Sequence, residues 1–111
     1  MQKPAGKTTK RAAGKADDAT PREDRLAWLA KSQKHAAAYL DAALETGEPG
    51  DLMHALRDIA EARGGVAQLA QDTGLNVNTL YRTLSKQGNP QLSNLVAILK
   101  ATGLRLAVLP G

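Results

Sequence analysis

The chain has 111 residues, of which 42% are hydrophobic and 23% charged, with a formal net charge of +4; these values suit one small globular domain with a modest core. It contains no cysteine, which excludes disulfide bonds and thiolate metal sites. Because the sequence has no apolar run near the ~20 residues of a membrane span and no hydrophobic signal segment, we expect a cytoplasmic protein without a membrane partner.

Charged residues are unevenly distributed along the chain. Residues 1–22 and residues 63–111 each carry a net charge of +4, whereas residues 23–62 carry a net charge of −4. The expected folded region, residues 23–111, thus has an acidic amino-terminal half and a basic carboxy-terminal half. We expect the two halves to bind different partners.

Residues 1–22 are rich in Lys, Ala, Gly and Thr and contain no aliphatic side chain larger than Ala after Met1. Such a segment buries too little surface to offset its ordering entropy. We predict a disordered basic tail, and a solvated tail is favoured over one that binds DNA phosphates.

A long amino-terminal helix is predicted over residues 25–46, where apolar residues recur at helical spacing until the sequence TGEPG. A second stripe on this helix carries Trp28, His35 and Tyr39. Aromatic side chains are found both in cores and as anchors of interfaces. Both interpretations remain open, and these three residues are our candidate partner-binding residues.

The next predicted helix begins at Asp51, a residue type that caps helix amino termini, and runs to about Arg63. Leu52, Leu56 and Ile59 form its buried face. Its apolar stripe is typical of ordinary core.

The sequence VAQLAQDTGLNVNTLYRTLS, residues 66–85, has the spacing of two short helices joined by a turn. Gly74 follows Ala70 by four residues, where the chain must turn with positive φ. Asn76 is a suitable amino-terminal cap for the second helix, which Leu80 and Leu84 anchor in the core. This pattern predicts a helix-turn-helix, whose second helix enters the major groove of DNA.

A further amphipathic helix, with Leu92, Leu95, Val96 and Leu99, is predicted to end before Gly103. Leucine and valine then alternate over residues 104–108, as in a short strand. Because a single strand is unstable alone, we expect it to pair with the same strand of a symmetry mate or with a partner's sheet.

Residues 51–103 resemble the helix-turn-helix domain of phage-repressor-type regulators. More specifically, residues 36–109, with LYRTLSKQGNPQLSNLVAILKATGLRL, are similar to the probable addiction-module antidote proteins, a family of bacterial antitoxins. The expected fold is all-α: a five-helix phage-repressor-like domain with a long amino-terminal helix and a short carboxy-terminal strand. The resemblance implies a homodimer that binds double-stranded operator DNA, represses its own operon and neutralises a toxin of the RelE/ParE type.

The resemblance also implies which residues bind DNA, and their chemistry suits the task. The candidates are Gln68, Asn76, Val77, Asn78, Thr79, Tyr81, Arg82 and Lys86. Asn78 can bond bidentately to adenine, Arg82 to guanine, and Val77 can contact a thymine methyl group, whereas the remaining residues suit phosphates. Phage repressors often carry Gln at the position of Val66, which leaves Gln68 as the nearest substitute for that contact.

Three other classes of function compete with an antitoxin, and the pair Asn78 and Arg82 argues against one of them, a pure protein-interaction module. An enzyme lacks a candidate site, because His35 and His54 are the only histidines and neither has a paired carboxylate or thiol at a catalytic spacing. We therefore expect no catalytic residue, metal ion or cofactor. A stand-alone helix-turn-helix regulator without a toxin remains the alternative, and the acidic amino-terminal helix favours the antitoxin.

Overall fold

The computed structural model describes residues 21–111. Within that range it contains six α-helices and no strand. They are α1 (Arg22–Lys31), α2 (Gln33–Glu45), α3 (Pro49–Ala62), α4 (Val66–Thr73), α5 (Val77–Thr83) and α6 (Leu92–Ala101). The all-α class is confirmed, whereas the five-helix count does not hold. Residues 1–20 of the predicted tail lie outside the described range, and Arg22, which that segment included, is the first residue of α1.

The predicted single helix over residues 25–46 is two helices that meet at Ser32. Ser32 is extended, with φ −158° and ψ 140°, and its Oγ accepts a hydrogen bond from the backbone N–H of Lys34 at 3.0 Å. The serine thus caps the start of α2 and interrupts the helical hydrogen bonds. The break turns one long element into a pair of helices.

The third helix begins two residues before the predicted cap at Asp51. Pro49 is its first residue, where a fixed φ favours the helix and a missing N–H costs nothing. Asp51 instead lies in the first turn, where its charge is favourable near the positive end of the helix dipole. The helix ends at Ala62, just before the predicted end at Arg63.

The core consists of two apolar clusters on either side of α3. Helices α1 and α2 pack on one side, where Leu29 belongs to the same cluster as Ile59 of α3. The helices α4, α5 and α6 form the other cluster, which includes Leu56 of α3 and Ile98. Since both Leu56 and Ile59 are fully buried, each stabilises its own cluster by roughly 1.5–3 kcal/mol. Helix α3 therefore joins the amino-terminal helices to the rest of the domain.

The predicted carboxy-terminal strand is absent from residues 104–111, which adopt no regular secondary structure. The N–H of Leu104 donates to the carbonyl of Leu99 at 2.8 Å, and the Leu104 side chain packs against both core clusters. Because a single extended segment has no neighbour to pair with, it forms no strand here. No helix in the described range is long and apolar enough to cross a bilayer.

Candidate DNA-binding interface and amino-terminal surface

Helices α4 and α5 are joined by a turn of three residues, 74–76, as the sequence pattern predicts. Gly74 has φ 76° and donates its N–H to the carbonyl of Ala70 at 2.8 Å, which ends α4. The Oδ1 atom of Asn76 accepts hydrogen bonds from the N–H groups of Asn78 at 2.8 Å and Thr79 at 3.1 Å. The turn and the cap therefore have the geometry of a helix-turn-helix.

Replacing Asn76 by alanine is expected to lower the free energy of unfolding by about 1 kcal/mol, because the N–H groups of Asn78 and Thr79 lose their acceptor. Urea denaturation measures the change. Gln71→Ala, an exposed substitution on α4, is the control and should stay within about 0.5 kcal/mol of the wild type. Equal losses in the two variants would contradict a capping role.

The side chains of α5 differ in their exposure to solvent. Asn78 and Arg82 are exposed, and Arg82 Nη2 donates to Thr79 Oγ1 at 3.4 Å. Thr79 is half-buried. Val77 is half-buried too and packs against the core cluster around Leu80. Of the three residues expected to contact bases, Asn78 and Arg82 are thus exposed, and Val77 contributes mainly to packing.

Tyr81 is exposed on α5, and the side chain of Arg57 lies over its ring. The sequence pattern does not predict this contact. The guanidinium carbon of Arg57 on α3 is 4.9 Å from the centroid of the Tyr81 ring, and Arg57 Nε also donates to Glu61 at 3.0 Å. Arg57 lies in the acidic half of the sequence, residues 23–62. The distribution of charge along the chain therefore does not predict a cation beside α5. The fold places this positive charge beside the tyrosine.

The two remaining candidates lie at opposite ends of the motif. Gln68 is exposed on α4, and its Nε2 donates to Asp72 Oδ1 at 3.0 Å. Lys86 follows α5, and a Cβ added to Gly50 would lie 2.8 Å from Lys86 Cγ. The Lys86 stem therefore lies against the first turn of α3, and its exposed ammonium group adds positive charge beside α5.

The amino-terminal candidates separate into a stacked pair, of which Trp28 is exposed and His35 half-buried, and a buried residue. The rings of Trp28 and His35 stack with centroids 4.2 Å apart and an interplanar angle of 5°, across the break at Ser32. His35 Nδ1 lies 2.7 Å from the carbonyl oxygen of Trp28 and donates to it, since a carbonyl can only accept. Tyr39 is buried in the core. In this structure Trp28 and His35 can offer surface to a partner, whereas Tyr39 cannot.

The buried Tyr39 belongs to a polar cluster centred on Asp58 of α3, which sequence analysis did not single out. Asp58 Oδ2 accepts from the Tyr39 hydroxyl at 2.6 Å and from Arg25 Nε at 3.2 Å. His54 Nε2 lies 3.4 Å from the same oxygen. Arg25 and Tyr39 lie on α1 and α2, so this carboxylate ties both helices to α3. Acidic residues are common on helix surfaces, and nothing in the sequence distinguishes Asp58 from them.

Comparison with known proteins places this fold and motif in a family. The model of the family described as probable addiction module antidote protein matches residues 23–110. An uncharacterised protein of Haemophilus influenzae is 34% identical over 77 residues, which cover 69% of this chain and 78% of that relative. No solved structure matches. In the described residues, no group of three or more His, Cys, Asp or Glu side chains could hold a metal ion.

The described residues therefore form an all-α domain in which α4, a three-residue turn and α5 follow one another as in a helix-turn-helix. This chain belongs to the family of probable addiction module antidote proteins. Membership confirms the family resemblance of the sequence and supports an antitoxin role, which implies a toxin as partner.

Proposed function

We propose that this protein is the antitoxin of a type II toxin–antitoxin module. It binds operator DNA through α4 and α5 as a homodimer, represses its own operon and neutralises a RelE/ParE-type toxin by direct contact. Antidote family membership carries the antitoxin part of this proposal. The capped α5 helix, with Asn78 and Arg82 exposed, supports the DNA-binding part.

The net charge of the carboxy-terminal half, which contains α5, suits a duplex. Residues 63–111 carry five cations against Asp72 alone, and Arg57 adds a further positive charge beside Tyr81. At the start of α4, Gly65 provides no side-chain cap, so first-turn N–H groups can bind a phosphate oxygen. Since one short helix makes few base contacts, a two-fold dimer reads half-sites about 10 base pairs apart.

A different surface suits the toxin. The acidic side chains of α1 and α2 are all exposed: Glu23, Asp24, Asp41 and Glu45. Toxins that act on nucleic acid or its enzymes are basic, so an acidic surface attracts them electrostatically. The exposed Trp28 ring provides the aromatic anchor that such interfaces favour. One protein can thereby hold toxin and operator at the same time.

Paired aromatic substitutions test the two surfaces separately. Trp28→Ala is expected to weaken toxin binding by more than about 1 kcal/mol and to impair rescue of cells that express the toxin encoded beside this gene. Operator binding should be unchanged. Tyr81→Ala, which removes an aromatic ring of similar exposure, is the reciprocal control: it should weaken operator binding and leave rescue intact. Rescue assays, co-purification and DNA titration measure these effects.

The toxin-binding part and the DNA-binding part of the proposal would be contradicted by different results. Full rescue and co-purification with Trp28→Ala would place the toxin elsewhere on the molecule. A wild-type chain that binds the operator but neither rescues nor co-purifies would instead identify a stand-alone regulator. Absence of any affinity for the DNA upstream of its own gene would overturn autorepression.

A further inference from the structure

Most of the exposed large hydrophobic side chains in the described residues lie near the carboxy terminus. Leu92 and Val96 on α6 are 67% and 44% exposed, and Leu106, Val108 and Leu109 in the extended segment are 52%, 96% and 81% exposed. We call these five residues the carboxy-terminal surface. Exposed apolar surface concentrated in one short part of a small domain is typical of an interaction site.

The geometry of α6 explains why these side chains stay uncovered. Leu92 and Val96 are four residues apart and share one face of the helix, whereas Ile98 projects from the opposite face and is buried. The sequence pattern places Leu92 and Val96 in the apolar stripe of this helix, but both side chains remain exposed in the described residues. The extended segment leaves the core after Leu104, so its apolar side chains are also available.

We propose that a second copy of this chain covers the carboxy-terminal surface, so that α6 and residues 105–111 form the homodimer interface. The inference deepens the proposed function by locating the contact between the two protomers, and it rests on that function for the two-fold dimer. An isologous interface brings the same patch of both copies together. Two apolar patches of this kind cover each other, which one copy alone cannot achieve.

Charge argues against the toxin as the occupant. The only charged residues in the sequence from 92 to 111 are Lys100 and Arg105, and no acidic residue follows Asp72. A basic toxin would meet like charge here, whereas the amino-terminal helices offer it opposite charge. Two copies of the carboxy-terminal surface bring few charges together.

The position of α6 in the chain also suits a dimer that reads DNA. Only residues 84–91 separate α5 from α6, so joining two α6 helices fixes the two α5 helices relative to each other. The exposed Asn78 and Arg82 are not part of the carboxy-terminal surface and remain available. The acidic face of α1 and α2 also remains free for another partner.

Sedimentation of the full chain without DNA, over a range of micromolar concentrations, tests the proposal. The wild type should be a dimer. The double variant Leu92→Glu with Val96→Glu should raise the dimer dissociation constant by about tenfold or more, since an unpaired charge would be buried. Leu44→Glu, on α2 and 55% exposed, is the matched control and should leave the dimer intact.

Val108→Glu provides a second variant, because this side chain is almost fully exposed and takes no part in the core. It should weaken the dimer without changing the circular dichroism spectrum or the melting temperature of the folded chain. A monomeric wild type, or dimers of unchanged strength in both carboxy-terminal variants, would overturn the proposal. Dimers weakened equally by Leu44→Glu would overturn it as well.

The dimer interface and DNA binding can each be contradicted without the other. A chain that dimerises through the carboxy-terminal surface but has no affinity for operator DNA contradicts DNA binding and supports this interface. A chain that binds the operator as a dimer resistant to all these substitutions contradicts the interface and leaves DNA binding intact.

Discussion

Replacing Asp58 by alanine is expected to lower the free energy of unfolding by about 3–5 kcal/mol, because breaking a buried ion pair leaves a poorly solvated charge behind. The Asp58 side chain is 3% exposed, and that of its partner Arg25 is 12% exposed. The alanine variant also removes the acceptor of the Tyr39 hydroxyl hydrogen bond at 2.6 Å. Urea denaturation measures this loss when the m-value, the slope of unfolding free energy against urea concentration, is the same for variant and wild type.

Glu61→Ala is the matched control on the same helix. Glu61 pairs with Arg57 at 3.0 Å, four residues away, but both side chains are partly exposed. A pair of this kind contributes about 0.3–0.5 kcal/mol. Asp58→Asn keeps an oxygen acceptor but removes the charge. Its loss of unfolding free energy should lie between those of Asp58→Ala and Glu61→Ala. Similar losses for Asp58→Ala and Glu61→Ala would show that the buried cluster does not hold α1 and α2 on α3.

Arg82→Ala is expected to weaken operator binding by roughly 1–3 kcal/mol and to relax the preference at one base pair, if Arg82 bonds to a guanine as proposed. Lys86→Ala should weaken operator and random DNA alike and make the salt dependence of binding shallower by about one counterion, because a phosphate contact carries no sequence information. Titrations on operator, single-base variants and random DNA, at several salt concentrations, separate the two effects.

Lys100→Ala is the control for charge alone, since Lys100 is exposed on α6 and is not part of the helix-turn-helix. It should leave the preference among bases unchanged. If Arg82→Ala lowers the affinity for operator and random DNA equally, Arg82 contacts only phosphate. If neither Arg82→Ala nor Lys86→Ala changes binding, α5 does not enter the groove.

The helix-turn-helix could be predicted from sequence because its determinants are local. Gly74 supplies the positive φ of the turn, and Asn76 caps the helix that begins at the next residue. Leu69 and Leu80 are buried as their spacing predicts. All these interactions lie within twenty residues of chain, so residue type and spacing suffice. The family match rests on this same region and on the helices that flank it.

The break at Ser32 was not predicted, because the apolar spacing of α1 continues into α2. Leu29 and Ala36 are both buried, as one continuous helix would also require. Serine is favoured at the amino-terminal cap of a helix but also occurs within helices, so its presence alone does not mark a break. The packing of α1 and α2 against α3 determines that Ser32 begins a second helix.

By itself the sequence determined the helical class, the helix-turn-helix with its exposed Asn78 and Arg82, and the antitoxin family. Only the tertiary structure decided which side chains are buried by residues distant in the chain. Asp58 is buried because Tyr39 and Arg25, 19 and 33 residues away, fold over it. Val96 has the periodicity of a core residue but stays exposed, whereas Leu99, three residues later on the same stripe, is buried. Periodicity assigns side chains to a common face, and the neighbours brought by folding determine whether that face is covered.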